Sequence, residues 1–251
     1  MRVAGLWRYP VKSLQGEPCE AVEVLDSGLA GDRSYGIEEL ASGTVLSAKR
    51  EGRLLSGYAR LDGVIPHVRL PSGAELRPGP ALDSALSEWL GRSCRLVSAE
   101  EHGPGTFEGT TDFERDAAEL RRWQGPAERF VDTLPVHLLT TASLAACAGE
   151  RPDLEWSPRR FRPNVLLDVD GDTLIEQTWV GRHLRLGDVE LRIEKPCSRC
   201  VMTTRSQPDG LERQLDVLRY VNATQESHLG VLATVVRPGT LRAGDLAEVR
   251  D

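Results

Sequence analysis

The chain has 251 residues, 31 Lys and Arg against 38 Asp and Glu, a net charge of −7, and 40% hydrophobic residues. An acidic chain without a long basic run lacks the broad positive surface that coats nucleic acid or an anionic membrane, so neither partner is expected, yet a small cationic pocket remains compatible with this balance. No apolar run approaches 18 residues and the N-terminus is too soon interrupted to be a secretory signal, so no membrane span and a cytoplasmic location are expected.

The first third reads as short strands separated by Gly, Pro, Asp and Ser: Val3 to Tyr9, Ala21 to Leu25, Tyr35 to Glu38, Leu54 to Leu61 and His67 to Leu70. Leu82, Ala85, Leu86, Trp89 and Leu90 then fall at helical spacing, with Gly91 placed as a left-handed cap. A strand, Cys94 to Ser98, follows. The polar, Gly-rich stretch Glu100 to Gly109 reads as a loop between two units, which sets the division at 1–106 and 107–251.

Beyond it the pattern predicts a short polar helix around Arg115 to Trp123, a strand Val136 to Thr140, and a helix Ala142 to Ala148 ended by Gly149. Strands are expected at Asn164 to Val169, His183 to Leu186 and Val189 to Glu194, the last two joined by a hairpin turn at Gly187-Asp188. Asp209 and Glu212 read as the start of a helix with Leu211, Leu215 and Leu218 on its apolar face. Val231 to Val236 and Leu246 to Val249 close the chain as strands. Many short strands and few helices give a mainly β, barrel-like protein of two units.

The five cysteines, Cys19, Cys94, Cys147, Cys197 and Cys200, are an odd number in a long chain and read as reduced thiols. Lys195-Pro196-Cys197-Ser198-Arg199-Cys200 holds the one close pair. A structural zinc needs four ligands, and no second pair at ligand spacing exists. A redox dithiol should open a helix, whereas Val201-Met202-Thr203-Thr204 is β-branched. Two thiols flanked by Lys195 and Arg199 still make a plausible thiolate pocket, for a nucleophile or a soft metal ligand, beside the plain alternative of two half-buried small residues.

Three further segments offer cations or donors. Arg160-Phe161-Arg162-Pro163-Asn164 places two guanidinium forks and an amide before a strand, suited to carboxylate or phosphate oxygens. Lys12 and Ser13 follow the first strand and offer an ammonium and a hydroxyl, without the glycines of a Walker loop. Gly28 to Arg33 reads as a tight turn delivering Arg33. No Gly-x-Ser-x-Gly elbow supports a serine nucleophile.

Taken in order, Tyr9-Pro10-Val11-Lys12-Ser13, Gly31-Asp32-Arg33, Asp132-Thr133-Leu134-Pro135, Thr141-Ala142-Ser143-Leu144, Phe161-Arg162-Pro163-Asn164 and Cys197-Ser198-Arg199-Cys200 resemble MOSC-domain proteins that carry a MOSC N-terminal β-barrel domain, such as the amidoxime-reducing components. The resemblance runs nearly end to end. It implies a mainly β (α+β) fold, a MOSC-type barrel with a second, smaller N-terminal barrel-like domain and a few short helices. Residues 1–33 then also contribute to the site.

The resemblance further implies the molybdenum cofactor, a pterin dithiolene with a terminal phosphate, with Cys200 as the protein thiolate on the metal and the catalytic residue. Lys12, Ser13 and Arg33 become partners of the pterin and its phosphate. Arg162 and Asn164 cradle it from the other side, with Asp132 and Thr133 in the same shell, Asp132 accepting from pterin nitrogens, and Ser198 and Arg199 beside the ligand. The implied reaction is two-electron reduction of small N-hydroxylated compounds, amidoximes and hydroxylamines.

Two departures stand out. No Cys-x4-Cys-x2-Cys run follows, so no iron–sulfur cluster is expected in this chain and electrons come from a separate ferredoxin, flavoprotein or cytochrome-type donor. Leu134 stands where amidoxime-reducing relatives often carry Ser. The alternative reading is a sulfur carrier or cofactor-handling protein with a persulfide on Cys200, and a third is a binding module that kept the scaffold.

Overall fold

The computed structural model describes residues 1–110 and 120–251. Its largest element is an eight-stranded sheet in the spatial order Ala247–Arg250, His183–Leu186, Val189–Ser198, His228–Arg237, Val136–Thr140, Val165–Asp168, Arg2–Arg8, Glu17–Pro18. Neighbours are antiparallel except Val136–Thr140 and Val165–Asp168. That parallel pair is joined through helix Thr141–Glu150, the long crossover that parallel strands require. The sheet curls so that the start of Arg2–Arg8 reaches the start of Ala247–Arg250: Arg2 bridges Leu246, Val3 N donates to Asp245 O at 2.9 Å, and Ala247 N donates to Met1 O at 3.0 Å. A few backbone groups that an open edge would leave unpaired are thus satisfied.

Alternation builds the barrel core. Along Val189–Ser198, Val189, Leu191 and Ile193 are buried while Arg192 is exposed, and they meet Val3, Leu6, Leu138, Val165, Leu184 and Val231 inside. Burial of each large aliphatic side chain contributes about 1.5–3 kcal/mol over leaving it exposed. The first strands belong to this core too, through Val22, Val24 and Leu29. A second core gathers Val11, Leu14, Ile37, Leu54 and Leu55 against helix Pro80–Leu90, whose Leu82, Leu86 and Leu90 recur every four residues. Pro80 opens that helix and Gly91, at φ 67°, ends it as expected.

Several elements differ from the sequence reading. Leu54 and Leu55 sit in a 3-10 turn, Gly52–Ser56, and the strand begins only at Tyr58, because both leucines are drawn into the second core. The stretch expected as a linking loop is folded: Ala99–His102 is a helical turn and Thr106–Thr110 a strand, anchored by Phe107 in a buried cluster with Val45, Ala99 and Phe130. The helix expected around Arg115 to Trp123 falls partly outside the described residues. Its last part belongs to a strand, Leu120–Gln124, paired with Thr106–Thr110.

The helix expected from Asp209 starts only at Leu215, since Asp209 and Gly210 both hold positive φ, 60° and 85°, and cannot continue a right-handed turn. Helix Thr141–Glu150 runs through Gly149 and is capped by Thr140, whose hydroxyl accepts from Ser143 N at 3.1 Å. The described residues thus form a mainly β fold with five short α-helices. None of those helices is long and apolar enough to cross a membrane.

Candidate functional site

Where the barrel mouth meets the N-terminal half, a cavity of about 450 Å³ opens. Lys12, Ser13, Arg33, Asp132, Thr133, Arg162, Asn164, Ser198, Arg199 and Cys200, distant in sequence, all line it. Lys49, Phe130, His137, Lys195 and His228 line it as well. The residues sit differently from one another, and their partners show what each is free to do.

Asp132 is the centre of a charge bridge. Its Oδ1 lies 2.9 Å from Lys12 Nζ and its Oδ2 lies 2.8 Å from Lys49 Nζ. Lys12 also donates to Phe130 O at 2.9 Å and lies 3.9 Å from the centre of the Phe107 ring, while Lys49 lies 4.2 Å from that of Trp123. Burial pushes the Lys12 ammonium down despite Asp132. Burial also works against the Lys49 charge, but Asp132 and then Cys200 outweigh it and raise this lysine. The Asp132 carboxyl, against the desolvation it suffers, is held below the usual carboxylate range by the two lysines. Each of its oxygens keeps a second lone pair for a ligand donor.

The arginines are organised around Tyr9. The Arg33 and Arg162 guanidiniums stack on its ring at 4.5 and 4.2 Å, and the Tyr9 hydroxyl donates to Pro163 O at 3.2 Å. Arg33 is further fixed by Asp32 at 2.5 Å and Asn164 Oδ1 at 3.1 Å. Ser13, Arg33 and Arg162 all hold positive φ, 69°, 49° and 54°. Such a conformation is strained for non-glycine residues and here recurs three times on one cavity wall.

Arg160, paired with Arg162 in the sequence reading as a second anion fork, also lines the cavity but is 1% exposed, with its guanidinium engaged by protein acceptors. It donates to Glu155 O and Glu212 O, and more distantly to Thr203 O and Arg205 O. The Asn164 amide is likewise engaged, with Arg33, His137 N and Trp7 O, so it orients its neighbours while lining the cavity. Ser13 Oγ accepts from Ala48 N at 3.0 Å and keeps its own hydrogen to donate.

The thiol segment ends the strand Val189–Ser198, whose register against His228–Arg237 shifts at Ile193/Lys195 and at Pro196/Ser198. Bulges of this kind re-aim side chains beside a site. Cys197 is buried and Cys200, half-buried, opens the 3-10 turn Val201–Thr204. Burial pushes the Cys197 thiol up although Arg199 Nη1 donates to its sulfur at 2.9 Å. Arg199 Nη2 donates to Phe161 O at 2.8 Å. Two guanidinium nitrogens on this cavity, Arg162 Nη1 and Arg199 Nε, are buried without a hydrogen-bond partner among the described residues. Among those residues no three His, Cys, Asp or Glu side chains form a metal-ligand group.

A family model described as the MOSC domain matches residues 127–248, and one described as the MOSC N-terminal beta barrel domain matches 1–120. The chain belongs to the MOSC-domain family. Human mitochondrial amidoxime-reducing component 1 is 27% identical to this MOSC protein over 97% of the chain and 81% of its own length. A molybdenum cofactor sulfurase of Drosophila erecta is 26% identical over 92% of the chain, which spans only 31% of that relative. Among solved structures, the YUAD protein from Bacillus subtilis aligns over 99% of the MOSC chain and 94% of its own, at 13% identity and a TM-score of 0.46.

Proposed function

We propose that this MOSC protein binds the molybdenum cofactor in the cavity and reduces small N-hydroxylated compounds, amidoximes and hydroxylamines, with electrons from a separate protein donor of ferredoxin, flavoprotein or cytochrome type. The observation that carries the reading is the pair of buried guanidinium donors without partners, on Arg162 and Arg199, in the same cavity as the half-exposed thiol of Cys200. Buried donors of that charge fit an anionic acceptor such as a phosphate-bearing pterin. The relatives named for amidoxime reduction support the reaction class.

In this reading Cys200 is the thiolate ligand of the metal, on the same cavity wall as the Lys49 ammonium. Lys12, Ser13, Arg33, Arg162 and Arg199 hold the phosphate and pterin, with Thr133 and Ser198 at the exposed mouth. Asp132 accepts pterin N–H groups through the lone pairs its lysines leave, and Asn164 aims Arg33. When bound, the cofactor supplies the two-electron couple. The N–O bond is cleaved with uptake of two electrons and two protons, and the oxygen leaves as water. Residues 1–106 form the N-terminal barrel unit, lending 1–33 to the site, and 107–251 the MOSC unit.

The test is metal and pterin analysis of protein made in a host that synthesises the cofactor, with benzamidoxime reduction by an artificial donor. Wild type should hold about one molybdenum per chain, and Cys200→Ala should lose metal and activity together. Full molybdenum in Cys200→Ala would overturn the ligand assignment, and wild type without molybdenum or pterin would overturn the whole reading. The sulfurase relative favours one second reading, a persulfide carrier. Cyanide-labile sulfur on Cys200 in metal-free protein would select it.

A further inference from the structure

His137 lies on the parallel-paired strand Val136–Thr140, 7% exposed, and touches two arginines of the cavity, the backbone of Arg162 and the guanidinium of Arg199, each with one buried nitrogen unpartnered among the described residues. Its Nδ1 lies 3.4 Å from Arg162 O and its Nε2 lies 3.3 Å from Arg199 Nη1. A carbonyl only accepts, so Nδ1 carries the hydrogen. Nε2 then offers its lone pair to the guanidinium. Burial first, then the charges of Arg199 and Arg33, hold this imidazole neutral, against a weaker pull from the Arg162 and Leu229 carbonyls. The ring is fixed from two further sides, by Asn164 Oδ1 on its own backbone N at 3.2 Å and by Gly230 packed against Nε2.

We propose that His137 is the positioning residue of an anion cage: its neutral ring holds Arg199 by one nitrogen and the strained Arg162 backbone by the other, aligning both guanidiniums on one anionic group. This rests on the cofactor reading for the identity of the anion but not for the cage, which inorganic phosphate can probe alone. Arg199 Nη1 is shared between His137 Nε2 and Cys197 Sγ, and Nη2 is held by Phe161 O, so removal of the imidazole acceptor frees one corner of the guanidinium. Gln at this position supplies an acceptor near Nε2. Asn supplies only the donor near Nδ1.

Phosphate affinity of the cofactor-free full chain, measured by calorimetry, is the readout. His137→Asn should weaken binding about tenfold, His137→Gln should stay within about threefold of wild type, and His137→Asn should add nothing in an Arg199→Ala background, because both act through one group. Wild-type affinity in His137→Asn, equal loss in the Asn and Gln variants, an additive loss with Arg199→Ala, or no phosphate binding by wild type would each overturn the cage. Molybdenum content of wild type decides the cofactor reading separately. Phosphate binding governed by His137 in a protein that never holds molybdenum would keep the cage and discard the cofactor.

Discussion

Lys49 Nζ sits 2.8 Å from Asp132 Oδ2 while Lys12 holds the other oxygen, so one carboxylate from the C-terminal half fastens two lysines of the N-terminal half. All three residues line the cavity. Removal of the carboxylate leaves Lys12, 7% exposed at the side chain, as an uncompensated cation.

Asp132→Asn should therefore lose about 1–3 kcal/mol at pH 7 in urea unfolding, less than a fully buried pair because the Asp132 side chain is 40% exposed. The Asp132 carboxyl is depressed in the folded state. Its contribution is then complete above the unfolded value, about 3.9, and is lost as pH falls below it. The gap between wild type and Asp132→Asn should narrow from pH 5 to pH 3, and a gap constant across that range would refute the bridge as its source.

Arg160 is a staple rather than a ligand fork. Arg160→Met should cost about 3 kcal/mol or more, since it strands the Glu155 and Glu212 carbonyls and loosens the turn that follows Cys200. Hydrogen exchange at Val201–Thr204 should speed up with it. An unchanged melting temperature and unchanged exchange would show that water replaces the side chain at no cost.

At Gly230, φ is +79° and an added Cβ would come within 2.5 Å of His137 Nε2 and 2.6 Å of Leu138 O. Gly230→Ala should destabilise the fold by about 1–3 kcal/mol and weaken phosphate binding as His137→Asn does, without touching either arginine. Calorimetry and thermal melts on the same sample check both halves.

Glu176 is fully buried, and its Oε2 accepts from Thr140 Oγ1 at 2.7 Å and Ser143 Oγ at 2.5 Å. Burial raises its carboxyl, outweighing those donors. For an acid raised in the folded state the penalty is absent below the unfolded value of about 4.3 and grows as pH rises above it. Glu176→Gln should gain on wild type between pH 4 and pH 8 in melting temperature. A difference independent of pH would mean that this carboxyl does not titrate against folding.

How much of this was legible in the sequence differs by element. The helix Pro80–Leu90 was open to inspection because its leucine spacing, proline start and glycine stop agree locally. Most of the site motifs could be read as segments that the fold brings to one cavity, but Thr141-Ala142-Ser143-Leu144 does not line it, its Ser143 being buried against Glu176. What local pattern does not encode is which of two like side chains is spent on protein acceptors: Arg160 donates to the Glu155 and Glu212 carbonyls, whereas Arg162 keeps a buried nitrogen unpartnered among the described residues. His137 looks like one more residue of a buried strand until Arg162 and Arg199 are folded against it. Lys49 did leave a signal, since the chain has 28 Arg and only three Lys, and all three lysines line the cavity.

The meeting of the first strand with Leu246 sets an order of events in synthesis. Arg2–Arg8 pairs with Val165–Asp168 on one side and reaches Asp245 on the other, and Lys12 and Ser13 follow directly from that strand. A nascent chain therefore holds Arg2–Arg8 without its barrel neighbours until residues 165–168 and then 245–246 have been made, and the cavity, lined from Lys12 to Leu232, closes through long-range contacts. A ligand that needs the whole lining of this cavity waits on the synthesis of His228 and Leu232.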